Sequence, residues 1–249
     1  MIKIENVVTP SSEQWKALIL GARNAMNSWD RSDSKFYDDV DFDPDDYIGP
    51  GMYLIGPNDC ELMMRLRNAG TDHRKFMRMI TVYLNITAPL YWWKEFDTYK
   101  VGSVANSCST MHKIHAKEFT LEDFSCEHLL EQKDVHVPND SCCNWNWEGC
   151  GVIAPIDILE ETVNMLNKAR EMFLETKDKK YWWQMIQLLP SSYNQKRTVM
   201  LNYEVLANIY KSRKDHKLDE WRDFCSWIKT LPYSELITGQ LADKRDNNV

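Results

Sequence analysis

The stretch MLNYEVLANIYKSRKDHKLDEW, Met200–Trp221, decides how the C-terminal part of the chain is read. Its apolar residues recur at three- and four-residue spacing, which predicts a helix. Two asparagines and an arginine interrupt that pattern. At about 100° of rotation per residue, Asn202, Leu206, Ile209 and Arg213 share one stripe and Asn208 lies on its flank. Lys211, Lys214 and Asp215 fall elsewhere, so this stripe is expected to be the buried one. An unpaired buried charge is very costly, and a buried arginine therefore needs an anionic partner. Helix geometry leaves two partners open. One is an internal Asp or Glu, with the asparagines capping backbone; the other is a phosphate-bearing ligand.

Upstream, PIDILEETVNMLNKAREMFLETKDKKYWWQMIQLLP reads as strongly helical, with Leu159, Val163, Leu166 and Ala169 at helical spacing. Pro190 ends it, and SSYNQKRTV holds a short strand. At the other end IKIENVV alternates as a strand. TPSSEQWKALILGARNAMNSW follows as a helix with a serine N-cap and Glu13 close behind. The acidic run from Asp30 to Gly56 reads as loop, DCELMMRLRNAG as a short helix closed by Gly70, and KFMRMITVYLNITAP as strand after Arg78. Residues 116–152 form a polar, Cys- and Trp-rich excursion, and the tail from Gly239 is polar and frayed. With no repeat and no linker, the expectation is one α+β domain over 1–249.

A chain of 249 residues can bury a substantial core. Its formal charge of −7 argues against a nucleic-acid polymer as partner, since neutralising phosphates needs a basic surface. A small anion held by a few placed cations stays compatible. The N-terminus has no basic-then-apolar leader, and no apolar run approaches the roughly 20 residues that span a bilayer. A cytoplasmic protein with no membrane partner is expected, its seven cysteines kept as thiols.

Cys126, His128, His136, Cys142, Cys143 and Cys150 form the densest patch of metal-binding types. CCNWNWEGC lacks paired zinc spacing, so a thiol-bearing loop is the reading. Asp41, Asp43 and Asp45 alternate as in a calcium loop, but Asp46 and Met52 stand where Gly and Glu belong. No metal site is expected.

LLPSSYNQKRTVMLNYEVLANIYKSR resembles the C-terminal signature of the flavin-dependent thymidylate synthases, the ThyX family. Pro190, Asn202, Leu206, Asn208 and Arg213 fall at that signature's intervals without a gap. ETVNMLNKAREMF is similar to the family's preceding helix and KIENVVTP to its opening strand. GTDHRKF is similar to its Glu-His-x-x-Phe element, with Asp72 for Glu. The resemblance implies a small mixed or antiparallel sheet flanked by long helices and a homotetramer with active sites at subunit interfaces. It implies that FAD, NADPH and methylenetetrahydrofolate convert dUMP, or a related pyrimidine nucleotide, to its methylated product. It assigns FAD contacts to Asn202 and Asn208, and a grip on the nucleotide to Arg213. His73 would lie near the flavin and folate.

The chain departs from the family in its Arg-His-Arg motif. Aligning Ala88-Pro89 puts Lys94 on an Arg, Glu95 on a nucleotide-contacting Gln, and Thr98-Tyr99-Lys100 on Arg-His-Arg. The motif's serine falls on Cys108, or on Ser109 with one insertion, which also gives Asn106 the motif's Asn and Met111 its later Arg. Two further arginines become Ile186 and Glu204. A lysine is a point charge where a guanidinium is a two-pronged donor, so the phosphate grip is altered. Two readings follow. In the first, an active enzyme holds FAD with His73, Tyr99, Asn202 and Asn208 and the nucleotide with Glu95, Lys100 and Arg213. Ser109 polarises the pyrimidine there, or the Cys108 thiol attacks its C6 as in the older thymidylate synthases. In the second, the chain binds a nucleotide or a partner protein without methylating dUMP.

Overall fold

In the computed structural model, which describes residues 2–37, 41–42, 47–48, 52–132, 135–137 and 151–239, Met200, Leu201 and Asn202 end a strand and do not begin a helix. The elements run β1 (Lys3–Val8), α1 (Ser12–Arg23), β2 (Lys35–Phe36), β3 (Asp41–Phe42), β4 (Tyr47–Ile48), β5 (Tyr53–Leu54) and α2 (Pro57–Asn68). Then come β6 (Thr81–Pro89), α3 (Leu90–Phe96), β7 (Val104–Ser107), β8 (Val135–Val137), β9 (Gly151–Ile153), α4 (Pro155–Thr176) and α5 (Lys179–Leu188). The chain closes with β10 (Asn194–Asn202), α6 (Tyr203–Arg213), α7 (Asp219–Ile228) and α8 (Glu235–Thr238). Four strands form one sheet in the order β1-β6-β10-β7, and β2–β5, β3–β4 and β8–β9 pair as small antiparallel ribbons. The expected α+β class holds, with a small sheet and a 22-residue helix as the longest.

The chain divides into two compact units, one of Met1, Thr87–Phe96 and Ser107–Lys196, the other of Ile2–Ile86, Asp97–Asn106 and Arg197–Val249. In the second, β6 buries Val82, Leu84 and Ile86 while Tyr83 stays exposed, and β10 buries Val199 and Leu201. This two-residue alternation overrides the helical reading of Met200–Asn202, because a strand's side chains alternate between faces. The predicted helix also breaks a second time, between α6 and α7. There Leu218 is extended, and the chain turns with His216 N donating to Arg213 O at 3.0 Å. Helix α6 is buried almost all round, with Tyr203, Leu206 and Ile209 fully enclosed. Helix α1 starts where its signal stood: Ser11 caps it, and its capping-box partner is Gln14, not Glu13.

An ion pair ties α1 to α2 in this unit. Arg23 donates from Nε to Asp59 at 2.6 Å, both groups almost fully buried. The other Asp59 oxygen takes the hydroxyls of Ser32 and Ser34 and the amides of Asp33 and Ser34. The carboxylate thus organises the turn that leads to β2.

In the first unit the expected single helix is two. Lys177 adopts a left-handed conformation, φ 57°, at the end of α4, and Asp178 then caps α5 by accepting from the Lys180 amide. A residue in that conformation closes a helix, which is why α4 stops there. Leu159, Val163, Leu166 and Ala169 face inward as their spacing requires and pack with Met185, Ile114, Phe119 and Phe124. Part of the unassigned 116–152 excursion therefore belongs to this core. The Tyr91-Trp92-Trp93 cluster is core as well: Trp92 and Trp93 are fully buried, and Trp93 Nε1 donates to the Gln195 carbonyl at 2.9 Å. The side chains of Asp41, Asp43, Asp45, Asp46, His136, Cys142, Cys143 and Cys150, and the tail after Gly239, lie outside the described residues.

Burial alone would raise the Asp59 pKa, but hydrogen bonds from Ser34, Ser32 and Arg23 outweigh it and hold the carboxyl below its ordinary value. A group lowered on folding contributes stability above its unfolded pKa and loses it as pH falls through the folded value. Asp59→Ala strands the Arg23 charge and is expected to cost about 3–5 kcal/mol. Urea denaturation measures this. The difference from the parent should shrink on acidification below the ordinary carboxylate range, where Asp59 becomes protonated.

Candidate functional site

Asn202 stands at the junction of β10 and α6, in extended conformation and 7% exposed. Its Oδ1 accepts from the Val205 amide at 3.0 Å, an N-cap, and its Nδ2 donates to the Gly102 carbonyl at 3.1 Å. It does not lie on a helical stripe with Arg213, as the sequence suggested; it ends the strand and starts the helix. Gly102 has φ +84°, and a Cβ there would come within 2.9 Å of Asn202 Nδ2. Only glycine fits this approach, and it brings residues 97–106, the segment aligned with Arg-His-Arg, onto the start of α6.

The same segment meets the far end of α6. Arg213 donates from Nε to the Tyr99 hydroxyl at 3.0 Å, and its guanidinium lies 4.8 Å from the Trp221 ring centroid and 5.8 Å from that of Tyr99. Nη1 is 2.9 Å from His216 Nε2. The Leu218 amide lies 3.2 Å from His216 Nδ1, and a neutral imidazole accepts at one of its two nitrogens only. Arg213 and His216 thus lie side by side at the end of α6. Lys100 is exposed on the same segment. Tyr99, Lys100, Asn202 and Arg213, distant in sequence, belong to one unit and are drawn to one helix.

Asn208 faces another way. It lies five residues before Arg213, about 140° around α6, and is exposed. Arg74 Nη2 reaches its Oδ1 at 3.4 Å, while Arg74 Nε donates to Glu204 at 3.1 Å. Glu204 also bonds Arg78. Burial acts to raise the Glu204 pKa, and Arg78 and Arg74 together bring it below the ordinary value. His73, exposed, immediately precedes this arginine. A cleft of about 380 Å³ opens here, with Arg67, Arg74, Asn208, Lys211 and Lys214 in its wall.

The remaining expected residues lie in the first unit. Cys108 and Ser109 are exposed and border a cavity of about 310 Å³ with Lys117, Tyr193 and Lys196. Ser109 Oγ accepts from the His112 amide at 2.9 Å, and the Cys108 carbonyl accepts from Gln195 Nε2 at 2.8 Å. Glu95 is half-buried on α3. Cys126 is half-buried and His128 exposed, and no metal-binding group of three side chains occurs among the described residues. No described helix is long and apolar enough to cross a membrane.

Sequence reading missed His216, Trp221, Arg67, Arg74 and the lysines of the cleft. Lys211 and Lys214 follow Asn208 at three-residue steps, and that spacing is the signal the sequence offers for them. Trp221 and His216 depend on the break after Arg213, which no local pattern announces.

No protein-family model matches the chain, and no curated protein sequence does. Among solved structures it is similar to thymidylate synthase X (ThyX) from Helicobacter pylori with FAD and dUMP. The TM-score is 0.58 at 16% identity, covering 96% of this chain and 98% of that one. A second structure of the same organism's flavin dependent thymidylate synthase, complexed with FAD and dUMP, gives 0.57 at 17%, covering 96% and 99%. The UMP/dUMP methylase PolB from Streptomyces cacaoi, bound with 5-Br dUMP, gives 0.53 at 13%, covering 96% and 95%.

The fold is that of ThyX.

Within this ThyX-like fold the Asn202–Gly102 contact holds the segment 97–106 in place. Asn202→Ala is expected to cost about 1 kcal/mol through the lost cap. Gly102→Ala adds backbone strain of about 1–3 kcal/mol. Thermal denaturation ranks the two, and in both variants amide exchange of residues 99–103 should quicken. Unchanged exchange would mean that something else pins the segment.

Proposed function

We propose that the chain is a flavin-dependent thymidylate synthase-like enzyme that reductively methylates dUMP, or a related pyrimidine nucleotide, with methylenetetrahydrofolate and NADPH. The carrying observation is the set of guanidinium donors that Arg213 holds beside Tyr99, Trp221 and His216 at the end of α6 in a ThyX-like fold. Such donors suit an anionic oxygen of a nucleotide, either phosphate or ionised base. That the similar structures hold FAD with dUMP, or 5-Br dUMP, supports the same ligand class here.

The donor set also fits FAD. Asn208 sits in a wall without carboxylates, and Asn202 keeps one N–H beyond its bond to Gly102. In this reading His73, Tyr99, Asn202 and Asn208 hold FAD, which supplies hydride chemistry when bound. Glu95, Lys100 and Arg213 orient the nucleotide, and Ser109 or Cys108 contacts the pyrimidine. Tyr99 replaces an imidazole with a phenol able to stack and, through its hydroxyl, to fix the angle of Arg213. Family resemblance implies a homotetramer, and we carry that expectation with the function.

The second reading is a protein that binds the nucleotide without methylating it. It is favoured by Thr98-Tyr99-Lys100, where no guanidinium remains, and by the carboxylate at Glu204 in place of an arginine.

Flavin absorption bands after reconstitution with FAD test the enzyme reading, and their absence removes it. NADPH oxidation that depends on dUMP, with methylated product, separates the two readings. Arg213→Ala should weaken nucleotide affinity by about ten- to a hundredfold, the worth of a charge-assisted bond, with the circular dichroism unchanged. Equal affinity in the variant would refute the role of Arg213.

A further inference from the structure

We propose that the cleft beside the second half of α6, walled by Arg67, Arg74, Asn208, Lys211 and Lys214, binds the phosphate groups of a nucleotide ligand. The inference rests on the nucleotide-binding part of the reading above and names the side chains that would carry it.

Four cations converge on a space of about 380 Å³ whose lining contains no carboxylate. That volume lies within the span of about 300–1,000 Å³ usual for small-molecule sites. Arg67 is fixed in the wall: Nε donates to the Leu236 carbonyl and Nη2 to that of Ile237, each at 3.0 Å, and Nη1 to Asn68 at 2.8 Å. Arg74 is held from behind by Glu204 and touches Asn208. Burial and the neighbouring Arg74 push the Arg67 pKa down, the mark of like charges crowded together in a partly dry place. An anion between them reverses that cost.

Lys211 and Lys214 complete the rim. Both are exposed; Lys211 forms no ion pair among the described residues, and Lys214 reaches Asp215 only at 4.0 Å. With Asn208 they follow α6 at three-residue steps and so line one side of it. Asn208 turns its carbonyl to Arg74, which leaves its amide N–H groups as donors for the ligand. At Gly70, φ +109°, nothing lies within 4 Å of the place a Cβ would take, so the entrance is open there. Fixed guanidiniums set the orientation of a phosphate, and mobile ammonium groups neutralise it. The phosphate belongs either to the diphosphate bridge of a dinucleotide or to a nucleoside monophosphate.

The test uses the full chain and inorganic pyrophosphate, followed by isothermal titration calorimetry. Saturable binding is expected. The double variant Lys211→Gln, Lys214→Gln, altered only at exposed positions, should weaken it by about tenfold or more. Lys177→Gln with Lys179→Gln, which removes equal charge from the other unit, should leave it unchanged. No saturable binding, or an equal loss in both double variants, overturns the proposal. Displacement of pyrophosphate by FAD but not riboflavin assigns the site to the dinucleotide. Displacement by dUMP but not deoxyuridine assigns it to the mononucleotide. In that case absent flavin bands would sink the flavin reading while this site stands. Displacement by neither overturns the assignment to a nucleotide.

Discussion

One amide side chain carries much of the architecture around α6. Asn202 must be extended to close β10, must accept from Val205 to open the helix, and must donate to Gly102 to hold the incoming segment. These demands fix the rotational phase of α6. From that phase follow the direction of Asn208, toward Arg74, and that of Arg213, toward Tyr99 and Trp221. A shift of one residue in the strand-to-helix junction would turn every side chain of α6 by about 100° and dissolve both groupings.

Charge is distributed unevenly about that helix. On one side Glu204 is shared by Arg74 and Arg78, so an arginine that would otherwise search solvent is held at the edge of a cleft. On the other, Arg213 lies against the rings of Trp221 and Tyr99 and bonds the Tyr99 hydroxyl. The resemblance leads one to expect guanidinium at Thr98, Lys100 and Glu204, whereas the positive charge found beside α6 is that of Arg67, Arg74, Lys211 and Lys214. A basic site on a protein of formal charge −7 is then a local arrangement that no total reveals.

How far the sequence spoke depended on the range of the interaction involved. Strong periodicity delivered β6 and the inward face of α4, since those patterns are set by burial on one side, and alternation delivered β1 although none of its residues is buried. The spacing from Pro190 to Arg213 delivered the ThyX-like fold, although the elements beneath it were misassigned: the strand runs through Met200 into Asn202. Val199 and Leu201 alternate inward, yet they flank a helical pattern and were absorbed into it. The left-handed turn at Lys177 had no glycine to announce it. Tyr99 with Arg213, and Arg74 with Glu204, are more than a hundred residues apart, and no local pattern encodes such meetings.

The contact of Arg213 with Trp221 has a consequence for observation. Indole emission responds to a nearby positive charge. An anion that draws the guanidinium off the ring, or neutralises it in place, alters the colour and yield of that emission. Trp221 therefore stands where a change at Arg213 registers optically, with no dye or label attached.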